Sequence, residues 1–532
     1  MATDKSAPQA ATPPVDWRGR TTLLGYLRDV LIAALILGAG LYLYYQHEQT
    51  GRRIRALGKE AKEFMLKDNT KAYGEAEKRL LEMTSLDSSY PFALASLGEL
   101  YATRWMDMGI EGDAANAKKY TELAEKTDAK INERFGAVIM VKLGEKKYED
   151  AAKYASEITK QAASSHVVNG YGRALRGLGR LDEARIALKK SADTEWRNPR
   201  FACDYADVFF EDGDFVNAQA FYAKGVEANS DHLRSLVGRS RAQLARGQKI
   251  KEAYDTLTDV LARPTEQLPP KVKAMALTGM SEMRGLEQKF DEALKLADEA
   301  IASYPNYSWA HFAKARILSV QKDAPGAAAE FDKTLELDRY VPEFYYNGSN
   351  AMMDAGDAVK AQALLDAYLK SLKEDDRFHL AYGNLLMKVN KPEDALKHYE
   401  QAINLNNFNA VAHYAKGAAL FDARATFLTD PKDTKKRDEL FESSKKELDL
   451  ALEVQEYFPA AHSKLGDILF EKQEWGDGCQ SYAQALMQMK TLQAPRERMT
   501  ELRDRINDRL IKEAKKRDVA KAWMDETGKL IR

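Results

Sequence analysis

Four histidines, His311, His379, His413 and His462, have the clearest capacity for chemistry in this 532-residue chain. Imidazoles ligate transition metals, and such a site needs its ligand atoms within about 2 Å of one ion. All four occupy one slot, early in the first helix of a repeated helix pair, and Tyr345 fills that slot in another copy. Equivalent slots on packed neighbouring helices lie roughly 10 Å apart, so the rings cannot converge on one ion. They read as packing residues, and neither a metal nor another cofactor is expected. Two cysteines, Cys203 and Cys479, are too few for a Cys-based zinc site. In a linear array they also lie too far apart to form a disulfide. The sequence has no Gly-rich phosphate loop, no Gly-x-Ser-x-Gly and no His-Glu-x-x-His. An enzyme is therefore not expected.

Charge is the other resource. Charged residues make up 30% of the chain, yet the formal net charge is −1. Acid and base interleave, as on solvated helix faces. A nucleic-acid partner needs a basic footprint to neutralise phosphates, and none is expected here.

The elements that position these residues repeat. Residues 391–405 read Lys-Pro-Glu-Asp-Ala-Leu-Lys-His-Tyr-Glu-Gln-Ala-Ile-Asn-Leu. Ala395, Tyr399 and Ala402 share one helical face at i, i+4 and i+7. Tyr382, Gly383 and Leu386 form a matching face on a preceding helix, with Asn390-Lys391 between the two. The markers Ala327, Ala361 and Ala395 recur every 34 residues. Two short helices with facing small and large residues at this period resemble the tetratricopeptide (TPR) family. Similar faces extend the resemblance over residues 55–494, about twelve repeats. Examples are Ala117/Thr121/Ala124, Ala184/Leu188/Ser191, Ala218/Tyr222/Gly225, Ala253/Leu257/Val260 and Gly466/Tyr482/Ala485.

The fold class this implies is all-α, a TPR helix-turn-helix solenoid wound as a right-handed superhelix, with an N-terminal transmembrane helix. Residues 1–22 are an Ala-, Pro- and Thr-rich tail expected to be disordered. Residues 52–268 and 271–494 form two sub-arrays, separated by the proline-rich Arg263–Pro270, which reads as a hinge or a plain loop. Between Thr103 and Asp113 a lengthened inter-helix loop is expected, and about fifteen extra residues precede Leu448 in the 424–441 insertion. Residues 495–532 carry the helical pattern Met499, Leu502, Ile506, Leu510, expected to cap the last repeat's apolar face. A membrane-surface or partner-binding role for that helix is the alternative.

Residues 23–46 are expected to lie in a lipid bilayer. The apolar run Val30–Tyr45 spans about 24 Å as helix, against a hydrocarbon core of ~30 Å. Tyr42, Tyr44 and Tyr45 stand where an aromatic belt belongs. The polar leader is too long for a signal peptide, and Gly38-Ala-Gly40 is a poor cleavage site. Basic residues flank the run almost equally, so the positive-inside rule does not orient it. Signal anchors usually keep their short tail in the cytoplasm, which would place the repeats outside a bacterial inner membrane.

The resemblance places function on the concave groove lined by first helices. In repeats four to six the inward positions are His166, Asn169, Arg173, Arg176, Arg200, Arg234 and Arg241, with Asp207 and Glu211 opposing. Such an arginine zone would grip carboxylates bidentately. In repeats eight to eleven they are Trp309, Phe312, Tyr346, Asn350, Asn384, Tyr414 and Phe421, a zone suited to an extended peptide. The Lys/Asn clamp by which some family members hold chaperone C-termini is not reproduced.

The expected function is a membrane-anchored scaffold that binds peptide segments of other proteins to assemble or stabilise an envelope complex. An organelle import or chaperone-docking receptor, and a regulator or component of a glycan- or lipid-handling enzyme acting through the insertion, are the alternatives.

Overall fold

The computed structural model describes residues 23–160, 164–372, 374–427, 434–491, 496–512 and 515–531. The tail at 1–22 and the centre of the 424–441 insertion, with Asp430 and Asp433, lie outside these. Among the described residues the chain is all helix, twenty-six α-helices and one short 3-10 turn. They pack as successive antiparallel pairs, the helix-pair solenoid expected of tetratricopeptide repeats.

The face read from the sequence is the packing face. Ala327, Ala361, Ala395 and Ala402 are fully buried in their second helices. Opposite them, first helices carry glycine where the pair comes closest. A Cβ at Gly383 would stand 2.5 Å from the Tyr399 ring, and one at Gly466 would stand 2.7 Å from that of Tyr482. The turn inside each pair needs a left-handed residue. Gly213 and Gly356 supply it in two repeats, whereas Lys146, Gln288, Lys322 and Asn390 adopt the same conformation elsewhere. Asp214, Asp323 and Asp357 follow such turns and cap the next helix by accepting a backbone N–H.

Several boundaries differ from the sequence reading because extra residues extend helices rather than loops. The first helix of the second repeat runs on to Met108, leaving only a short turn before Asp113. Its Trp105 ring packs over Gly144, where no side chain would fit. The described parts of the 424–441 insertion are helical too, as ends of Ala410–Phe427 and Thr434–Val454. At Arg263–Pro270 a 3-10 turn leads into the helix Pro270–Leu286, and Val260, Leu268 and Val272 share one apolar core across it. At the other end, helices Arg496–Lys512 and Arg517–Ile531 cover the last repeat, with Met499, Ile506, Leu510 and Trp523 packed on Phe470 and Tyr482.

The N-terminal boundary also moves. Leu23–Met65 is one unbroken 43-residue helix. Within it Tyr26–Met65 is long and apolar enough to cross a membrane, and none of its apolar window is buried. The same helix then buries Ile54, Leu57 and Ala61 as the first helix of the first repeat. No linker separates the apolar segment from the array.

The largest departure is in the winding. A solenoid in which each repeat touches only its neighbours is the sequence expectation, and the structure overturns it. Asn229 Nδ2 donates to the Lys67 carbonyl (2.6 Å), and His232 Nε2 meets Asp68 Oδ2 (2.9 Å). Lys271 Nζ donates to the Met106 carbonyl (2.8 Å), and Arg377 Nη2 donates to Asp212 (2.5 Å). These partners are 162 to 165 residues apart, about five repeats. In every case the earlier residue ends a first helix or lies in the turn after it, and the later one begins a first helix or just precedes it. One superhelical turn therefore stands edge-on upon the turn before. Cys203, fully buried, and Cys479, half-buried, are both free thiols.

Leucine at Ala395 would force this close-packed pair apart. The expected cost is about 1–3 kcal/mol by chemical denaturation, and an unchanged midpoint would show that the contact is not close.

Candidate functional site

Tight winding brings the concave faces of the first turn together, and the predicted basic zone lies between them. Each arginine finds a carboxylate there. Arg173 binds Asp107 through both terminal nitrogens (2.6 and 3.1 Å). Arg176 clasps Glu211 with two nitrogens, Nε at 2.6 Å. Arg200 reaches Thr103 (2.6 Å) and Glu99 (3.1 Å), and Arg234 bridges Asp204 (2.7 Å) and Asp207 (2.5 Å). Arg241 holds Glu282 through Nε and Nη2 and the Tyr307 hydroxyl through Nη1. Asn169 is buried beside them, its Nδ2 without a hydrogen-bond partner. The expectation of a zone open to an acidic segment is thus corrected. The arginines neutralise acids of the same chain, and Asp107 and Glu99 come from a helix two and three repeats earlier than Arg173 and Arg200, which local spacing cannot reveal.

His166 belongs to this network. Its Nδ1 lies 2.7 Å from Glu99 Oε1. Burial alone would raise the Glu99 carboxyl, but His166 and Arg200 beside it pull it down to about 2. Burial opposes the charged imidazole, yet Glu99 raises His166 above its usual range.

His311, His379 and His413 brace their helix pairs. His311 Nδ1 meets Glu330 (2.7 Å) and His413 Nδ1 meets Glu447 (2.7 Å). Their Nε2 atoms approach the carbonyls of Pro305 and Asn407 (3.1 and 3.2 Å), as the Tyr345 hydroxyl approaches that of Arg339 (2.8 Å). His379 pairs with His398 (3.0 Å). Among the described residues no group of three or more His, Cys, Asp or Glu side chains is arranged to hold a metal ion.

The predicted aromatic zone divides. Tyr346 is buried, its hydroxyl against Asp375 (2.6 Å) and Tyr368 (2.7 Å). Asn384 accepts the Tyr399 hydroxyl (2.9 Å), Tyr414 packs on Phe458, and Phe421 packs on Phe441. These four hold repeats together. Trp309, Phe312 and Asn350, by contrast, line one cleft of about 320 Å³ on the concave side. Trp309 packs edge-on against Phe210 and Phe344, with ring centres 4.9 and 4.8 Å away. Leu286 (60% exposed) and Val320 (54% exposed) stand at its rim, each the last or nearly the last residue of a first helix. Arg316 lies over the Phe312 ring at 5.7 Å and has no ion pair among the described residues. Phe210, Phe290, Leu286, Val320 and Arg316 were not singled out from the sequence. An apolar residue where a first helix gives way to its turn was the available signal.

Stretches of the chain are similar to known repeat proteins. The tetratricopeptide repeat family model matches residues 141–199 and 287–342. A TPR repeat-containing protein of Methanocaldococcus jannaschii is 24% identical over 319 residues, which is 59% of this chain and 50% of that protein. Superkiller complex protein 3 of Mus musculus is 24% identical over 211 residues, 39% of this chain and 12% of that one. The chain thus spans half or less of these relatives' length. Among solved structures, yeast Tom70 aligns over 87% of this chain and 97% of its own, at 14% identity and a TM-score of 0.42. An IFIT1 monomeric mutant aligns over 81% and 99%, at 15% identity and a TM-score of 0.42. The chain is an all-helical repeat array in which two stretches match the tetratricopeptide repeat model.

The Glu99–His166–Arg200 cluster makes stability depend on pH. Glu99 has a depressed folded pKa, so its contribution is present above the ordinary 4.5 and is lost as pH falls toward 2. His166 has a raised one, so its contribution is full below 6.5 and is lost as pH rises through the folded value. Glu99→Gln should remove the acid limb from a melting-temperature profile. It should also cost about 3–5 kcal/mol near pH 6 by leaving Arg200 buried without its partner. An unaltered profile would show that the pair is not formed.

Proposed function

We propose that this protein is a membrane-tethered scaffold that gathers partner proteins by holding an apolar segment of each in the Trp309–Phe312 cleft. One observation carries the reading. The first turn's concave cavities, about 350 and 410 Å³, are lined by arginines already paired with acids of the same chain, whereas this cleft is lined by aromatics and carries large apolar side chains at its rim. Buried aromatic anchors surrounded by a polar rim are what protein segments dock against. Asn350 offers its amide to an extended backbone, and Arg316 offers a cation that forms no salt bridge among the described residues. The exposed apolar stretch within Leu23–Met65 supports the tether. A bacterial inner membrane with the repeats on the periplasmic side, and a role in assembling or stabilising an envelope complex, complete the proposal.

Benzoylphenylalanine placed at Leu286 or Val320 should crosslink discrete partners in native membranes, while the same probe at Val359, exposed elsewhere, should not. Burying each rim side chain is worth about 1.5–3 kcal/mol. Leu286→Glu with Val320→Glu should therefore weaken capture at least tenfold without lowering the melting temperature. Equal adducts from Val359, or capture that survives the double substitution, would refute a role for the cleft.

A further inference from the structure

The first superhelical turn has one edge that nothing among the described residues covers, and the long N-terminal helix fixes where that edge lies. Successive helices are antiparallel, so every first helix runs in the sense of Leu23–Met65. The connections into first helices therefore lie on the side from which that helix arrives. In the second turn these connections sit on the turn below, as at His232–Asp68 and Arg377–Asp212. In the first turn they have no turn beneath them. Only the N-terminal helix extends past that edge.

The level of the edge can be measured along the helix. Arg79 Nε donates to Glu60 (3.1 Å) and Arg53 Nε donates to Glu82 (2.8 Å), which sets Thr70–Leu86 in register alongside Leu23–Met65. Continuing that register brings the connection 87–90 level with residues near 48–51. Glu48, Thr50 and Gly51 are partly covered there, whereas residues 41–47 are fully exposed. From Tyr45, the end of the apolar run, to that level is roughly 4.5–9 Å at 1.5 Å per residue. A headgroup layer adds roughly 5–7 Å to each side of the hydrocarbon core. The connection thus comes down to the depth where the headgroups begin.

Its chemistry suits that depth. Leu81 and Leu86 are exposed on the descending helix, and Ser88 is exposed at the tip beside Tyr90. The next connection on the same edge presents Lys126 and Lys130, both exposed, which can extend toward phosphates. Of the nearby acids Asp87 is engaged, while Glu125 and Asp128 are exposed beside the lysines. Asp87 accepts from the Ser89 amide (3.0 Å) and hydroxyl (2.9 Å), and Asp128 lies 3.8 Å from Arg134.

We infer that the edge formed by Leu86–Tyr90, with Lys126 and Lys130 beside it, rests on the phospholipid headgroups of the leaflet from which the N-terminal helix emerges. The inference depends on that helix spanning the bilayer, as the proposed function has it. The array is then seated on the membrane and stands away from it. Its second turn and the Trp309–Phe312 cleft are carried outward on a rigid base rather than swinging on a tether.

The full chain in phosphatidylcholine vesicles provides the test. Single cysteines replace Leu35, Ser88 or Asn390 in a Cys203→Ala, Cys479→Ala background and carry an environment-sensitive fluorophore. Asn390 lies on the opposite edge of the second turn. Acyl-chain spin-labelled lipid should quench the Leu35 label, and headgroup-labelled lipid should quench Ser88 several-fold more than Asn390. A flexible glycine-rich insertion between His47 and Glu48 should reduce the Ser88 signal to the Asn390 level. Quenching at Leu35 with Ser88 no different from Asn390 overturns the seated edge and leaves the anchor standing. An unquenched Leu35 removes the anchor, and the seated edge with it.

Discussion

Each superhelical turn sits on the one before it, and most of the architecture depends on that contact. Winding about five repeats per turn leaves a narrow axis, and whatever the first helices point inward must share it. Long polar side chains pointing there are removed from water. An arginine in that position is tolerable only with a carboxylate in bonding reach, because an unpaired buried charge costs several kcal/mol. Arg173 with Asp107, Arg176 with Glu211 and Arg241 with Glu282 satisfy the condition. The axis resembles the inside of a protein more than a groove.

That closure decides where a scaffold can hold anything. A concave surface whose charges are paired within the chain offers few vacant donors, and much of the first turn is of that kind. The cleft at Trp309 and Phe312 differs because the helix ends at Leu286 and Val320 leave apolar side chains in solvent. Charge pairing thus lies low in the superhelix and an apolar opening higher up. The continuous Leu23–Met65 helix ties the lower part to whatever holds its exposed apolar half.

Close approach within each pair makes the winding possible. Gly383 under Tyr399, Gly466 under Tyr482 and Gly238 under Tyr222 let the two helices nearly touch, with the ring of one filling the space a side chain would need on the other. The repeats are alike in this contact and vary elsewhere. Residues added to the second repeat extend its first helix into the packed interior, where Trp105 covers Gly144 and Asp107 meets Arg173.

The order of helices, their packing faces, the period, the apolar N-terminal segment and the bracing role of His311, His379 and His413 were all legible in the sequence. Each depends on side chains within a few turns of one another, and helical periodicity records those directly. Two boundaries, at Met108 and around the 424–441 insertion, were misjudged because an added helical turn and an added loop have the same length on paper. The fate of the inward residues was not legible at all. Arg200 and Glu99 are 101 positions apart, and nothing near either one announces the other. Whether Arg176 meets solvent, a partner or Glu211 depends on superhelical pitch, which accumulates from small angles at every helix contact. The local pattern therefore determined that this chain is a stacked helix-pair array. The tertiary winding alone decided which part of its inner surface became interior and which part remained open.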